Sequence, residues 1–223
     1  MRFDVITLFP ELFEPFLHSG VTRRAYESGQ VDVRLWQLRD FAEDTYKRVD
    51  DRPYGGGPGM VMAAEPILRA FAKLKVTPKE KKGKVKVIQL SPSGEMFTNT
   101  VAAKFAKQYT DIVFVCGRYE GVDDRVRKIL KADEYSIGDF VLTGGELPAL
   151  VMTDAICRQI PGVLGSSESL EEARTASPRV YTRPDVLLWP QSKKEKAKKY
   201  KVPEVLLNGD HKKIEEWRKG EQK

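Results

Sequence analysis

Strand-like apolar runs that stop at glycine-bearing bends, with helical stretches between them, constrain this 223-residue chain more than any other feature. Residues 85–90, VKVIQL, run into Ser91-Pro92-Ser93-Gly94. Residues 111–116, DIVFVC, run into Gly117-Arg118-Tyr119-Glu120-Gly121. Further strands are expected at 3–9 (FDVITLF), 31–36 (VDVRLW) and 139–142. Helices are expected at 11–19, 23–28, 64–74, 98–108, 122–130 and 146–160, where Pro148 opens the last and Pro161-Gly162 halts it. Alternation of strand and helix predicts an α/β fold with a mostly parallel sheet. The pattern fades after Gly165. The expected organisation is an α/β domain at 1–165, a linker at 166–180 and a small basic helical domain at 181–223.

Ligands of open parallel sheets bind beyond the carboxyl ends of the strands. Three strand ends here carry unusual loops: Leu90 to Gly94, Gly117 to Gly121, and Ser136 to Pro148 (SIGDFVLTGGELP). Glycine lets main chain approach a ligand closely. Neither a GxxxxGK[ST] phosphate loop nor a GxGxxG between strand and helix is present. The pattern fits a nucleoside-like ligand held by backbone rather than by phosphates. S-adenosylmethionine is such a molecule, and its sulfonium tolerates a nearby carboxylate such as Glu120. A separate segment, DDRPYGGGPGM at 50–60, packs four glycines and two prolines behind fixed charge. Its glycines admit close backbone approach, and Asp50, Asp51 and Arg52 are candidates to order it by ion pairing.

Charge is concentrated. Residues 193–201 hold six lysines and one acid, and residues 73–86 hold seven lysines and one acid, so a net +6 chain is slightly acidic elsewhere. Such density suits a polyanion such as nucleic acid. Two distant cysteines without a CxxC, and only two histidines, argue against a disulfide framework or a histidine-bound metal. No signal peptide follows Met1-Arg2, and no apolar run approaches the ~20 residues that span a bilayer. A cytoplasmic location is expected.

The blocks DDRPYGGGPGM, LSPSG (90–94), VCGRYEGVDDR (115–125), SIGDFVLTGGELPA (136–149), PGVLG (161–165), YTRP (181–184) and VLLNGDH (205–211) occur in this order. Together they resemble the bacterial tRNA (guanine-N(1)-)-methyltransferase family of the SPOUT class, over almost the whole chain. The resemblance implies a deep trefoil knot at the cofactor site and a homodimer whose active sites lie at the subunit interface. It also implies S-adenosylmethionine as methyl donor, magnesium, and a tRNA guanosine immediately following the anticodon as acceptor. The implied cofactor residues are Leu90, Ser91, Pro92, Gly117, Arg118, Tyr119, Glu120, Gly121, Ser136, Ile137, Gly138, Asp139, Phe140, Val141, Leu142, Gly144, Gly145 and Pro148. Arg158 is the implied cation of catalysis, and Glu120 lies by the donor and helps hold magnesium.

The resemblance breaks in two places. The family's basic aspartate, in a linker stretch of the type EEDSF, falls on Ala173; the nearest carboxylates are Glu171 and Glu172, and Glu172 is the expected general base. Two alternatives stay open: the register slips across a shortened linker, or the chain is a catalytically weak RNA-binding relative that retains the pocket. Secondly, LLWPQSKKEKAKKYK enlarges the region between Val186 and Val202 relative to the family. Its lysines are expected to add phosphate contacts to tRNA.

Overall fold

The computed structural model describes residues 1–74, 84–164, 179–190 and 197–220. The chain divides into two compact units, Met1–Gly165 and Ser166–Lys223.

In the first unit, β1 (Arg2–Thr7) leads through a 3-10 turn (Pro10–Leu12) into α1 (Glu14–Leu17) and α2 (Gly20–Glu27). Then come β2 (Asp32–Gln37), the two-residue strands β3 (Asp50–Asp51) and β4 (Val61–Met62), and α3 (Ala64–Lys73). The remainder is β5 (Val85–Met96), α4 (Asn99–Gln108), β6 (Asp111–Cys116), α5 (Asp124–Leu130), β7 (Asp133–Ser136) and α6 (Glu146–Arg158). Local chemistry sets several boundaries. The Thr98 hydroxyl caps α4 by accepting from the Val101 N–H, and the Asp123 carboxylate caps α5 by accepting from the Arg125 N–H. The left-handed Lys131, at φ 51°, ends α5.

Five strands form one parallel sheet in the order β2-β1-β6-β5-β7. β6 is central, and all six of its residues are buried, as a parallel strand covered on both faces requires. Alternate side chains feed two cores. Phe3, Val5, Ile88, Ile112 and Phe114 pack with α4 and α6, and the Phe3 and Phe114 rings stack with centroids 6.1 Å apart. Ile6, Val87, Val113 and Val115 pack on the other face with Ile67, Ala70 and Val126 of α3 and α5.

Two expectations need correction. Residues 139–142 are not a strand: the strand lies earlier, at Asp133–Ser136. As an edge strand beside β5 it buries only Tyr135 and Ser136, so its sequence looks polar. The strand through 85–90 does not end at Ser91. It bulges, and pairing with β7 shifts so that both Leu90 and Glu95 oppose Tyr135. Gly94 allows that return, because a Cβ there would lie 2.5 Å from the backbone of Glu134 and Tyr135.

The second unit departs from the small helical domain expected at 181–223. It contains an antiparallel hairpin, β8 (Val186–Trp189) with β9 (Lys198–Lys201), then a 3-10 turn (Glu204–Leu206) and α7 (His211–Gly220). Lysine and alanine favour helix by propensity, but pairing with the apolar Val186–Trp189 run decides the outcome. Among the described residues, no helix is long and apolar enough to cross a membrane.

At the amino end of the sheet, Arg2 forms ion pairs with Asp4 (3.0 Å) and Asp111 (2.7 Å) in a nearly water-free setting. These contacts are ionic rather than well-aligned hydrogen bonds. Trp36 donates to the other oxygen of Asp4 at 3.0 Å. Burial, against the Trp36 hydrogen bond and the Arg2 charge, raises the Asp4 pKa. Arg2→Met removes the cation from beside two buried carboxylates and is expected to cost about 3–5 kcal/mol in urea unfolding at neutral pH. A native pKa raised above the unfolded value means that the folded state binds the proton more tightly. Stability lost in the variant is therefore expected to recover partly as pH falls from 7 toward 4.5.

Candidate active site

Because β6, β5 and β7 are neighbours in the sheet, the loops at their carboxyl ends meet. They enclose a cavity of about 360 Å³, within the range of small-molecule sites. Leu90, Ser91, Pro92, Gly117, Arg118, Tyr119, Glu120, Gly121, Ser136, Ile137, Phe140, Val141, Leu142, Gly144, Gly145 and Pro148 all line it. Gly138 and Asp139 do not. Gly138 instead underlies the Phe140 ring, which occupies the space a Cβ would need, and its carbonyl accepts from the Ser136 hydroxyl at 2.9 Å. Thr143, within the expected loop from Ser136 to Pro148, lines it too, and sequence reasoning missed Gln89, Ser93, Val122 and Tyr135 in the lining. Gln89 and Tyr135 are strand residues just before the bends; the polar Gln89 inside the apolar run 85–90 was an available signal, whereas Tyr135 in the polar edge strand gave none.

The run from Phe140 to Leu142 reads as strand because it is apolar, yet all three side chains are exposed and border the cavity. Its apolar side chains border the cavity rather than fill a core. Behind it, the Gly145 N–H donates to the Gly117 carbonyl at 2.9 Å. A Cβ on Gly145 would lie 2.8 Å from the Cys116 Cα and 3.0 Å from the Gly117 nitrogen. Backbone cannot yield there, so glycine is required. The Cys116 thiol is buried at this junction. Burial first, and the Glu146 charge second, push its pKa well above normal. It is a packing group, not a nucleophile.

Arg118 is held from three sides. Its Nε donates to Glu146 Oε2 at 2.9 Å and its Nη1 to the Thr143 carbonyl at 3.2 Å. Its guanidinium lies 4.4 Å from the centroid of the Phe9 ring. Glu146 is 1% exposed, and its second oxygen accepts from the Thr7 hydroxyl at 2.8 Å. Gly144 has no room for a Cβ because the Arg118 side chain passes beside it.

The DDRPYGGGPGM segment is a hairpin laid along the second loop. Asp50 and Asp51 pair with Met62 and Val61, and the Asp51 carboxylate accepts from the Arg52 N–H at 2.7 Å. Strand pairing, rather than the expected ion pairing, orders it. Gly55, Gly56, Gly57 and Gly59 all have positive φ, from 78° to 115°. The first three have no atom near a notional Cβ, so they are needed for the turn itself. Gly59 serves both ends: its missing Cβ is replaced by the Glu120 carboxylate. Beside it, Glu120 N–H donates to the Met60 carbonyl (3.0 Å) and Met62 N–H to the Gly121 carbonyl (2.9 Å). Tyr119, just before them, sits at φ 59°, a conformation rare outside glycine and concentrated at functional loops.

Arg158 does not reach this cavity within the chain. It closes α6, whose first residue, Glu146, is at the cavity, and 13 helical residues separate the ends by about 18 Å. Glu172, with Glu171, lies outside the described residues. Among the described residues no group of three or more His, Cys, Asp or Glu forms a metal cluster.

Gly59→Ala is expected to destabilise by about 1–3 kcal/mol, combining positive φ with a clash against Glu120. In a Glu120→Ala background the cost is expected to shrink by about 0.5–2 kcal/mol, a coupling read from a double-mutant cycle of urea unfolding.

The tRNA (Guanine-1)-methyltransferase TrmD family model matches residues 1–223. Curated relatives named tRNA (guanine-N(1)-)-methyltransferase align throughout. One from Leptothrix cholodnii is 50% identical over 100% of this chain and 86% of its own. One from Geobacter metallireducens is 45% identical over 98% and 85%, and one from Clostridioides difficile is 43% identical over 99% and 92%. The convergence of glycine-bearing strand ends on one cavity thus occurs in a chain that belongs to the tRNA (guanine-1)-methyltransferase family.

Proposed function

We propose that this enzyme moves a methyl group from S-adenosylmethionine to N(1) of the guanosine immediately following the anticodon of a tRNA. The observation that carries the reading is the cavity at the β5, β6 and β7 ends, lined by their glycine-bearing bends and lacking phosphate-binding motifs, in a member of this family. The names of relatives at 43–50% identity disfavour the alternative of a non-catalytic relic.

The residues fit the donor. Gly144 and Gly145 keep the cavity wall thin, and Glu120 supplies negative charge beside it. S-adenosylmethionine supplies an electrophilic methyl group when bound. The protein must handle the acceptor, because guanine N(1) carries a proton at neutral pH. Glu172 is the proposed base that removes it, and Arg158 the cation that stabilises the guanine oxygen as negative charge develops there. Magnesium would find one protein carboxylate, Glu120, with water and ligand oxygens completing its shell, which suits an ion that keeps much of its hydration.

The distance of Arg158 from the cavity supports a homodimer with shared sites. Leu147 and Val151 on α6 are about half exposed, in line with Asp154 and Arg158 at helical spacing. A second copy packed on this stripe would carry Arg158 to the partner's site. The close passage of Gly145 behind Gly117 supports the knotted path of the SPOUT class. Residues 1–165 form the proposed catalytic domain, and 181–223 the tRNA-binding one.

Gly145→Val is expected to abolish S-adenosylmethionine binding in titration calorimetry; unchanged affinity refutes the cradle. Radiolabelled methyl transfer to a tRNA transcript tests the activity. Arg158→Ala is expected to lower kcat about 10²–10³-fold, and Glu172→Gln about 10²–10⁴-fold. Full rate in both Glu172→Gln and Glu171→Gln removes these glutamates as the base.

A further inference from the structure

We propose that the β8–β9 hairpin is a stacking platform for unpaired bases of the RNA substrate. Register fixes its two faces, because directly paired residues and their neighbours two positions along share a face. Leu187 opposes Tyr200 and Trp189 opposes Lys198, so these four form one face. Val186 with Lys201 and Leu188 with Lys199 form the other. Trp189 is 59% exposed and Tyr200 53%. They stand diagonally across the pair, about 7–8 Å apart at Cα. Two aromatic rings at this spacing beside a lysine match the way single-stranded RNA is held: bases on π-faces, phosphates on cations.

The occupant follows from charge. The eight strand residues include three lysines, Lys198, Lys199 and Lys201, and no acid. A two-stranded hairpin with large apolar side chains on both faces is marginal alone in water, so exposed rings on it mark a binding surface. An apolar protein partner would be poorly served by lysines interleaved with the rings, whereas a polyanion with flat bases uses both. The proposal rests on the reading of the chain as a tRNA methyltransferase and adds a contact that reads bases rather than phosphates.

The test measures binding of the full chain to a tRNA transcript across a salt series, beside methyl transfer and sedimentation. Trp189→Ala and Tyr200→Ala are expected to weaken binding about 5- to 150-fold each, at an unchanged slope of log K against log salt. Stacking releases no counterions. Trp189→Phe and Tyr200→Phe are expected to retain most of the affinity, and Leu188→Ser, on the opposite face, all of it. Lys198→Gln is expected to flatten the slope by about 0.7–0.9. If both alanine variants bind as the wild type does, the platform is refuted while the enzyme reading stands. If the loss instead tracks a change in sedimentation, the hairpin is a protein interface and the proposal fails. A wild-type chain that neither binds nor methylates tRNA removes the enzyme reading and the platform with it.

Discussion

The close approach of Gly145 to the end of β6 fixes the rest of the site. One hydrogen bond, Gly145 N–H to the Gly117 carbonyl, and a gap too small for a Cβ lock the start of α6 against the β6 loop. That contact puts Glu146 beneath Arg118 and leaves Phe140 to Gly144 as a wall over the cavity. A side chain at 145 would push these pieces apart together, because the opposing atoms are main chain at the end of the fully buried β6.

Glu146 shows how such a junction is stabilised. A buried carboxylate is costly unless paired and hydrogen-bonded. Here both oxygens are used, one by Arg118 and one by Thr7 at the end of β1. Arg118 in turn donates to Thr143 in the wall and stacks on Phe9, which follows β1. The β1 end, the β6 loop, the wall and α6 are thus tied through one guanidinium. The Gly59–Glu120 contact does the same for the glycine hairpin, so the second loop is held from both sides and keeps Tyr119 in its strained conformation.

Much of this was legible in the sequence, for identifiable reasons. Glycine at a strand end has few uses, so the three bends pointed to one cavity, and neighbouring strands brought them there. The misreadings share a cause: local pattern was read without knowing what each face meets. Phe140 to Leu142 looked like a core strand because this cavity wall and a core strand are both apolar. Asp133–Ser136 looked like loop because an edge strand buries little. Lys198–Lys201 looked helical because propensity ignores a partner strand that starts 12 residues earlier. Gly59 was legible as close approach, but not that its neighbour would be Glu120.

One separation constrains any mechanism. The cavity and Arg158 occupy opposite ends of α6, about 18 Å apart. A helix whose two ends carry proposed functions, with Leu147 and Val151 exposed between them, gains from a two-fold arrangement in which its start serves one site and its end another. Such an arrangement would place the methyl donor in one subunit's cavity and the charge-stabilising arginine in the other's reach. Association and catalysis would then be linked: a substitution on the α6 stripe far from both groups would lower activity by separating them, with each cavity still intact.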